Sequence, residues 1–212
     1  MKKIFLFIII LLSFCLISCD DEIDDNIVED DLPQEEGGEI EMGNPIVVIT
    51  LEDDRTITLE LYPEIAPISV ENFLKLVDEE YYDGVCFHRI IEGFMIQTGG
   101  YYIEGNTLYD KKPTNSIKGE FANNGVENNL KHELGVISMA RSGDPNSANS
   151  QFFICAADTP HLDGDYAAFG KTVDEASNQV VLDLSKVTTV NAGYGFTNFP
   201  YPYISIKTIR RG

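Results

Sequence analysis

Residues 87–97, Phe-His-Arg-Ile-Ile-Glu-Gly-Phe-Met-Ile-Gln, set an imidazole, a guanidinium and a carboxamide into an otherwise apolar run. A guanidinium is permanently charged, holds its N–H donors in a rigid fork and is weakly hydrated. In an extended chain, alternation turns Arg89 and Ile91 to one face and His88 and Ile90 to the other. Two readings of Arg89 stand. It is an edge arginine whose stem passes its apolar neighbours to reach water or Glu92, or it is a donor aimed at a reacting group. Most other chemistries lack their residues. There is no G-x-x-x-x-G-K-[ST] run for nucleotide phosphates and no G-x-S-x-G for an acyl-transfer serine. His88, His132 and His161 lack the short spacing of a helical metal site and have no paired cysteines beside them, so no metal and no cofactor are expected. Asp163-Gly164-Asp165 reads as a turn, because nothing after it completes a calcium loop.

The elements that must position these residues are mostly short strands. Residues 45–64 read as a hairpin turning at Glu52-Asp53-Asp54-Arg55. Residues 66–82 change period, with Val70, Phe73, Leu74 and Val77 on one helical face and Ser69 as a cap. The 87–98 stretch becomes two extended segments around Glu92 and Gly93. Residues 99–135, rich in Gly, Asn and Lys, read as an extended loop region. Apolar strands follow near 134–140, 151–157 and 166–173. A second helix at 174–187 shows Ala176, Val180, Val181 and Leu184 on one face, and 203–209 alternates as a closing strand. So many short strands with two helices argue for a mainly β barrel or sandwich, the helices plugging its ends. On this pattern alone Phe94, Met95, Phe153 and Leu162 read as ordinary core.

Composition sets the domain limits. Residues 1–19 have the charged start and apolar centre of an export signal. They close on Leu-Ile-Ser-Cys, which resembles the lipobox of bacterial lipoproteins, with Cys19 as the lipidated residue anchoring the protein to a membrane, at the periplasmic face or the cell surface. Residues 20–44 hold twelve acidic and no basic residues and read as a self-repelling, disordered tether. Setting aside these twelve acids and the two lysines of the signal from 35 acidic and 15 basic residues leaves 23 against 13, net −10, over 45–212. That balance excludes a nucleic-acid partner, which needs a basic footprint. Residues 45–212 suffice for one domain, expected to be a monomer. Cys86 and Cys155, both in apolar runs, are expected to stay unpaired.

Four blocks carry a resemblance. Residues 87–100, the Ile-Lys-Gly-Glu-Phe of 117–121, residues 128–154 and residues 159–173 follow one another in the order and at about the separations of cyclophilins, the peptidyl-prolyl isomerases. F-H-R-[IV]-I-x-G-F-M-x-Q and S-Q-F-F-I are signatures of that family. The resemblance spans nearly all of 45–212 and implies a closed eight-stranded antiparallel barrel capped by two α-helices. It also implies catalysis by Arg89, with Phe94 and Gln97, on proline-containing polypeptides. Phe94, Met95, Phe153 and Leu162 would then form a proline pocket. Gln151 and Gln97 would line the groove, His88 would stand beside the arginine, and Ala140 with Arg141 would pair through their backbone with the peptide.

Three departures from the pattern matter. His161 stands where well-known members have a tryptophan that grips cyclosporin, implying weak drug binding with catalysis retained. Tyr166 takes the place of a rim histidine and still offers a hydroxyl and a flat face. Residues 101–116 replace a glycine-rich loop, with Tyr101 in place of an aspartate, which leaves the preference for residues before the proline open. A membrane-tethered proline-binding module without turnover is therefore the competing reading.

Overall fold

The computed structural model describes residues 43–212 except 113 and 194. The signal, Cys19 and nearly all of the acidic tether lie outside the described residues. Twelve strands and two helices follow in order: β1 (Ile46–Leu51), β2 (Thr56–Leu61), α1 (Pro67–Asp78), β3 (Arg89–Ile91), β4 (Met95–Thr98), β5 (Tyr101–Glu104), β6 (Thr107–Asp110), β7 (Val136–Met139), β8 (Phe152–Cys155), β9 (Ala168–Thr172), α2 (Glu175–Ser185), β10 (Thr189–Val190), β11 (Phe199–Pro200) and β12 (Ile206–Arg211).

Eight strands form one antiparallel sheet in the order β12-β1-β2-β9-β7-β8-β4-β3. The expected closed barrel is corrected. The sheet is an open, strongly curled half-barrel whose outer strands, β12 and β3, are not paired to each other. Backbone preceding β3 and around the start of β12 spans part of the gap, with the amide of Phe87 donating to the carbonyl of Ile204 and that of Ile206 to the carbonyl of Val85. The inner face of the curl holds the main core, including Ile49, Ile57, Leu59, Ile90, Ile96, Phe152, Ile154 and Phe169.

The helices cover that core, and their caps and buried faces differ from those expected. Ser69 does not cap α1. Ala66 occupies the cap position without a side-chain bond, and Pro67, whose missing N–H would be an orphan there anyway, opens the helix. The free amides of Ile68 and Ser69 donate instead to the carboxylate of buried Glu120, at 3.0 and 2.7 Å, and the Ser69 hydroxyl joins them at 2.7 Å. An anion at the positive end of the helix dipole is favourable. On α2, Asp174 caps the amide of Ser177 at 2.7 Å. Its buried face is Ser177, Val181, Leu184 and Ser185, so Ala176 is exposed where core was expected. The Ser177 hydroxyl explains the shift, because it accepts the amide of Thr58 at 3.0 Å.

Residues 99–135 are also more ordered than a loop. Tyr101–Glu104 and Thr107–Asp110 pair as a two-stranded hairpin, Glu104 opposite Thr107, turning at Gly105 and Asn106. Gly105 there takes φ 61°, the left-handed conformation such turns favour. A further short pair, β10 with β11, lies beyond α2.

Candidate active site

Sheet register explains how distant residues meet. Arg89 pairs with Gln97, Gln97 with Phe153, and Phe153 with Ser138, one row across β3, β4, β8 and β7. The next row of the same face is Ile91, Met95 and Cys155. Because side chains alternate, the residues between them, Ile90, Ile96 and Ile154, enter the main core instead. The outer face thus carries its own small cluster: Met95, Phe153, Cys155 and Leu162, with Ile91, Phe94, Ala140 and Tyr166 packed against it. Leu162 arrives on a 3-10 turn, Pro160–Leu162.

This cluster floors a cavity of about 140 Å³ lined by Arg89, Phe94, Met95, Gln97, Ala140, Arg141, Phe153, Leu162 and Tyr166. Larger open clefts exist elsewhere, such as one of about 670 Å³ between the β5–β6 hairpin and residues 190–203. That cleft has no charged lining residue, so size alone does not mark the site. Arg89 has no carboxylate partner among the described residues; the Glu92 pairing is not formed. Its Nη1 reaches Gln97 Oε1 at 3.5 Å, and its guanidinium carbon lies 5.9 Å from the Phe94 ring centre. Gln97 Nε2 donates to Gln151 Oε1 at 3.1 Å. The chain of amides holds the guanidinium at the cavity while leaving most of its donors free.

Gln151 approaches closely because of two glycines. Gly99 has φ 98°, and a Cβ there would collide with the Ser150 carbonyl; one on Gly100 would lie 2.6 Å from Gln151 Nε2. His88 sits on the inner side of Arg89, edge-on to Tyr101 at 4.7 Å. It is buried, and its Nδ1 has no hydrogen-bond partner among the described residues. Burial and then the Arg89 charge push it down to about 4. His161 is exposed and stacks obliquely on Phe94 at 5.4 Å, while Tyr166 meets Phe153 edge-on at 5.7 Å. Nine of the expected residues line the cavity, Gln151 joins them through Gln97 and His161 through Phe94, while His88 precedes Arg89 and packs on Tyr101, and Cys19 lies outside the described residues. Cys155 lies under the cavity, where burial pushes its thiol up to about 11; burial takes Cys86 to about 12, and both are free.

Sequence reasoning missed the support beneath Phe153. His132 stacks on its ring at 6.1 Å, with Nδ1 3.1 Å from Asp163 and Nε2 3.1 Å from the Ser138 hydroxyl. Burial lowers the His132 pKa against the opposing pull of Asp163. A neutral ring donating to Asp163 and accepting from Ser138 is fully satisfied. The signal was present as a third histidine with no exposed role, but no spacing ties positions 132, 138 and 163 together. Among the described residues no three His, Cys, Asp or Glu converge as metal ligands.

The model of the family described as cyclophilin type peptidyl-prolyl cis-trans isomerase/CLD matches residues 46–211. The chain is 42% identical over 145 residues to peptidyl-prolyl cis-trans isomerase-like 3 of Rhizopus delemar, covering 68% of this chain and 84% of that one. It is 38% identical over 159 residues to peptidyl-prolyl cis-trans isomerase A of Dickeya dadantii, covering 73% and 78%. The crystal structure of a cyclophilin type isomerase from Cryptosporidium parvum superposes with a TM-score of 0.63 at 28% identity, over 80% of this chain and 98% of that one. The same protein solved in the presence of the dipeptide Ala-Pro gives 0.62, over 79% and 98%. With a family model spanning nearly every described residue and relatives of this identity carrying the activity, the chain belongs to the cyclophilin-type peptidyl-prolyl cis-trans isomerases.

Proposed function

We propose that Arg89 is the catalytic residue and that the cavity beside it seats the proline of a polypeptide substrate. Rotation about an X-Pro bond faces a barrier of about 18 to 20 kcal/mol from amide resonance. No bond is broken, so what is needed is a surface that favours the twisted amide over both planar forms. In the twisted form the prolyl nitrogen becomes pyramidal and regains a lone pair, which a guanidinium N–H can bond. An arginine free of carboxylates suits this role, because its donors are not already spent. Phe94, Met95, Phe153 and Leu162 grip the pyrrolidine ring while the rest of the chain turns. Gln97 and Gln151 steady the guanidinium and the peptide, and the backbone of Ala140 and Arg141 aligns it. The observation that carries this reading is the Arg89 guanidinium, without a carboxylate partner among the described residues, at a small cavity floored by Phe94, Met95, Phe153 and Leu162. Magnetisation-exchange NMR on an Ala-Ala-Pro-Phe peptide tests it: the protein should speed exchange well above the uncatalysed rate. Tight peptide binding with unchanged exchange would favour the non-catalytic binding module instead.

The cellular role follows from the N-terminal residues. A lipid anchor on Cys19 would hold the isomerase at a membrane outside the cytoplasm, where it assists the folding of exported proteins; the Leu-Ile-Ser-Cys sequence supports this. Cys19→Ala should move the protein from the membrane to the soluble fraction, and its persistence in the membrane would refute the anchor.

A further inference from the structure

The described residues contain five arginines, and three are in ion pairs: Arg55 with Asp53, Arg210 with Glu80 and Asp83, and Arg211 with Asp78. The remaining two, Arg89 and Arg141, have no carboxylate partner among the described residues, and both line the same cavity. In a domain with so large an acidic excess, two unpaired guanidiniums at one small cavity are out of keeping with the rest of the surface. Isomerisation gives Arg89 its role and leaves the side chain of Arg141 without one.

Arg141 is also held in place. Its guanidinium carbon lies 4.7 Å from the Tyr166 ring centre and 5.1 Å from that of Phe121. Nε donates to the carbonyl of Asp165 and Nη1 to that of Ser142, each at 2.9 Å. Nη2 has no partner among the described residues. The neighbouring carboxylates are engaged elsewhere, Asp165 accepting from Asn123 at 2.8 Å and Asp144 from the amide of Asn146 at 2.8 Å. A cation stacked between rings and tied to two carbonyls has already lost its rotamer freedom, so a ligand anion would not have to order it.

We propose that Arg141 makes the isomerase prefer substrates with a carboxylate on a residue flanking the proline. This rests on the cavity being the seat of the proline. It adds a second cation that recognises the neighbouring side chain and does not act on the rotating bond.

The test compares exchange rates of the full protein on two peptide pairs, Ala-Glu-Pro-Phe against Ala-Gln-Pro-Phe and Ala-Ala-Pro-Glu against Ala-Ala-Pro-Gln. A half-exposed charge pair should favour the Glu member of at least one pair by about three- to fivefold in kcat/KM. In Arg141→Gln that ratio should fall to about one; taking it within each enzyme cancels any general loss of rate. If the variant does not fold, the parent still decides, because substituting Lys at the sensitive position must give the order Glu above Gln above Lys. Equal rates on Glu and Gln in both pairs, a different order, or a ratio unchanged in Arg141→Gln would overturn the proposal. Failure to accelerate any peptide would overturn the isomerase reading of the cavity itself, a separate outcome.

Discussion

Acidification should destabilise this fold through His88 by an amount that follows from its surroundings. The side chain is 6% exposed, edge-on to Tyr101, with Arg89 next to it and no partner for Nδ1 among the described residues. Burial, then the Arg89 charge, lower its pKa from 6.5 to about 4, against a weaker opposing bond to Gln151. The unfolded chain therefore takes up this proton first, so stability is full above pH 6.5 and is lost as pH falls towards 4. Each pKa unit corresponds to about 1.4 kcal/mol, so the full loss is about 3 kcal/mol, most of it gone by pH 4.5. Against a total stability of about 5 to 15 kcal/mol, that is easily measured. Urea unfolding at pH 7 and pH 4.5 should show the parent losing about that much more than His88→Gln, whose side chain does not titrate. His132 and the carboxylates contribute equally to both proteins and cancel. Identical losses in the two would refute the account of a neutral imidazole buried behind the arginine.

Two further predictions concern the supports of the site. Glu120→Ala removes the carboxylate that caps α1 and leaves two helix amides and the Ser69 hydroxyl unsatisfied, at a cost of about 2 to 4 kcal/mol in chemical denaturation. Gly99→Ala asks an alanine to take φ 98° and drives its Cβ into the Ser150 carbonyl. It should lower the melting temperature by several degrees, corresponding to about 1 to 3 kcal/mol, and disturb Gln151 enough to reduce turnover.

Much of this was legible because the determining patterns are local. The β-branched residues of Ile46–Leu51, the three-four spacing of Val70, Phe73, Leu74 and Val77, and the Glu-Gly break between β3 and β4 each show their element within a few residues. The site residues were named through the resemblance, since composition alone left Phe94, Met95, Phe153 and Leu162 as core. That description was partly true. They do form a core, but a second one on the outer face of the sheet. What escaped was long-range or masked by composition. Glu120 caps a helix some fifty residues earlier in the chain, and no local signal links them. The β5–β6 hairpin hid in polar surroundings, although Tyr102 and Ile103 face Tyr109 and Leu108 across a Gly-Asn turn. Whether a curled sheet closes depends on pairing between its two edge strands, which strand patterns do not encode; here β3 and β12 stay apart.

The role proposed for Arg89, whose guanidinium has no carboxylate partner among the described residues, is to lower the barrier to rotation of a proline seated beside it. Exchange of an Ala-Ala-Pro-Phe peptide by the parent and by Arg89→Ala, with peptide affinity measured alongside, tests this directly. Loss of a single donor that acts in the transition state should lower kcat/KM by about a hundredfold or more, while affinity for the peptide changes far less. A variant as fast as the parent would contradict the account.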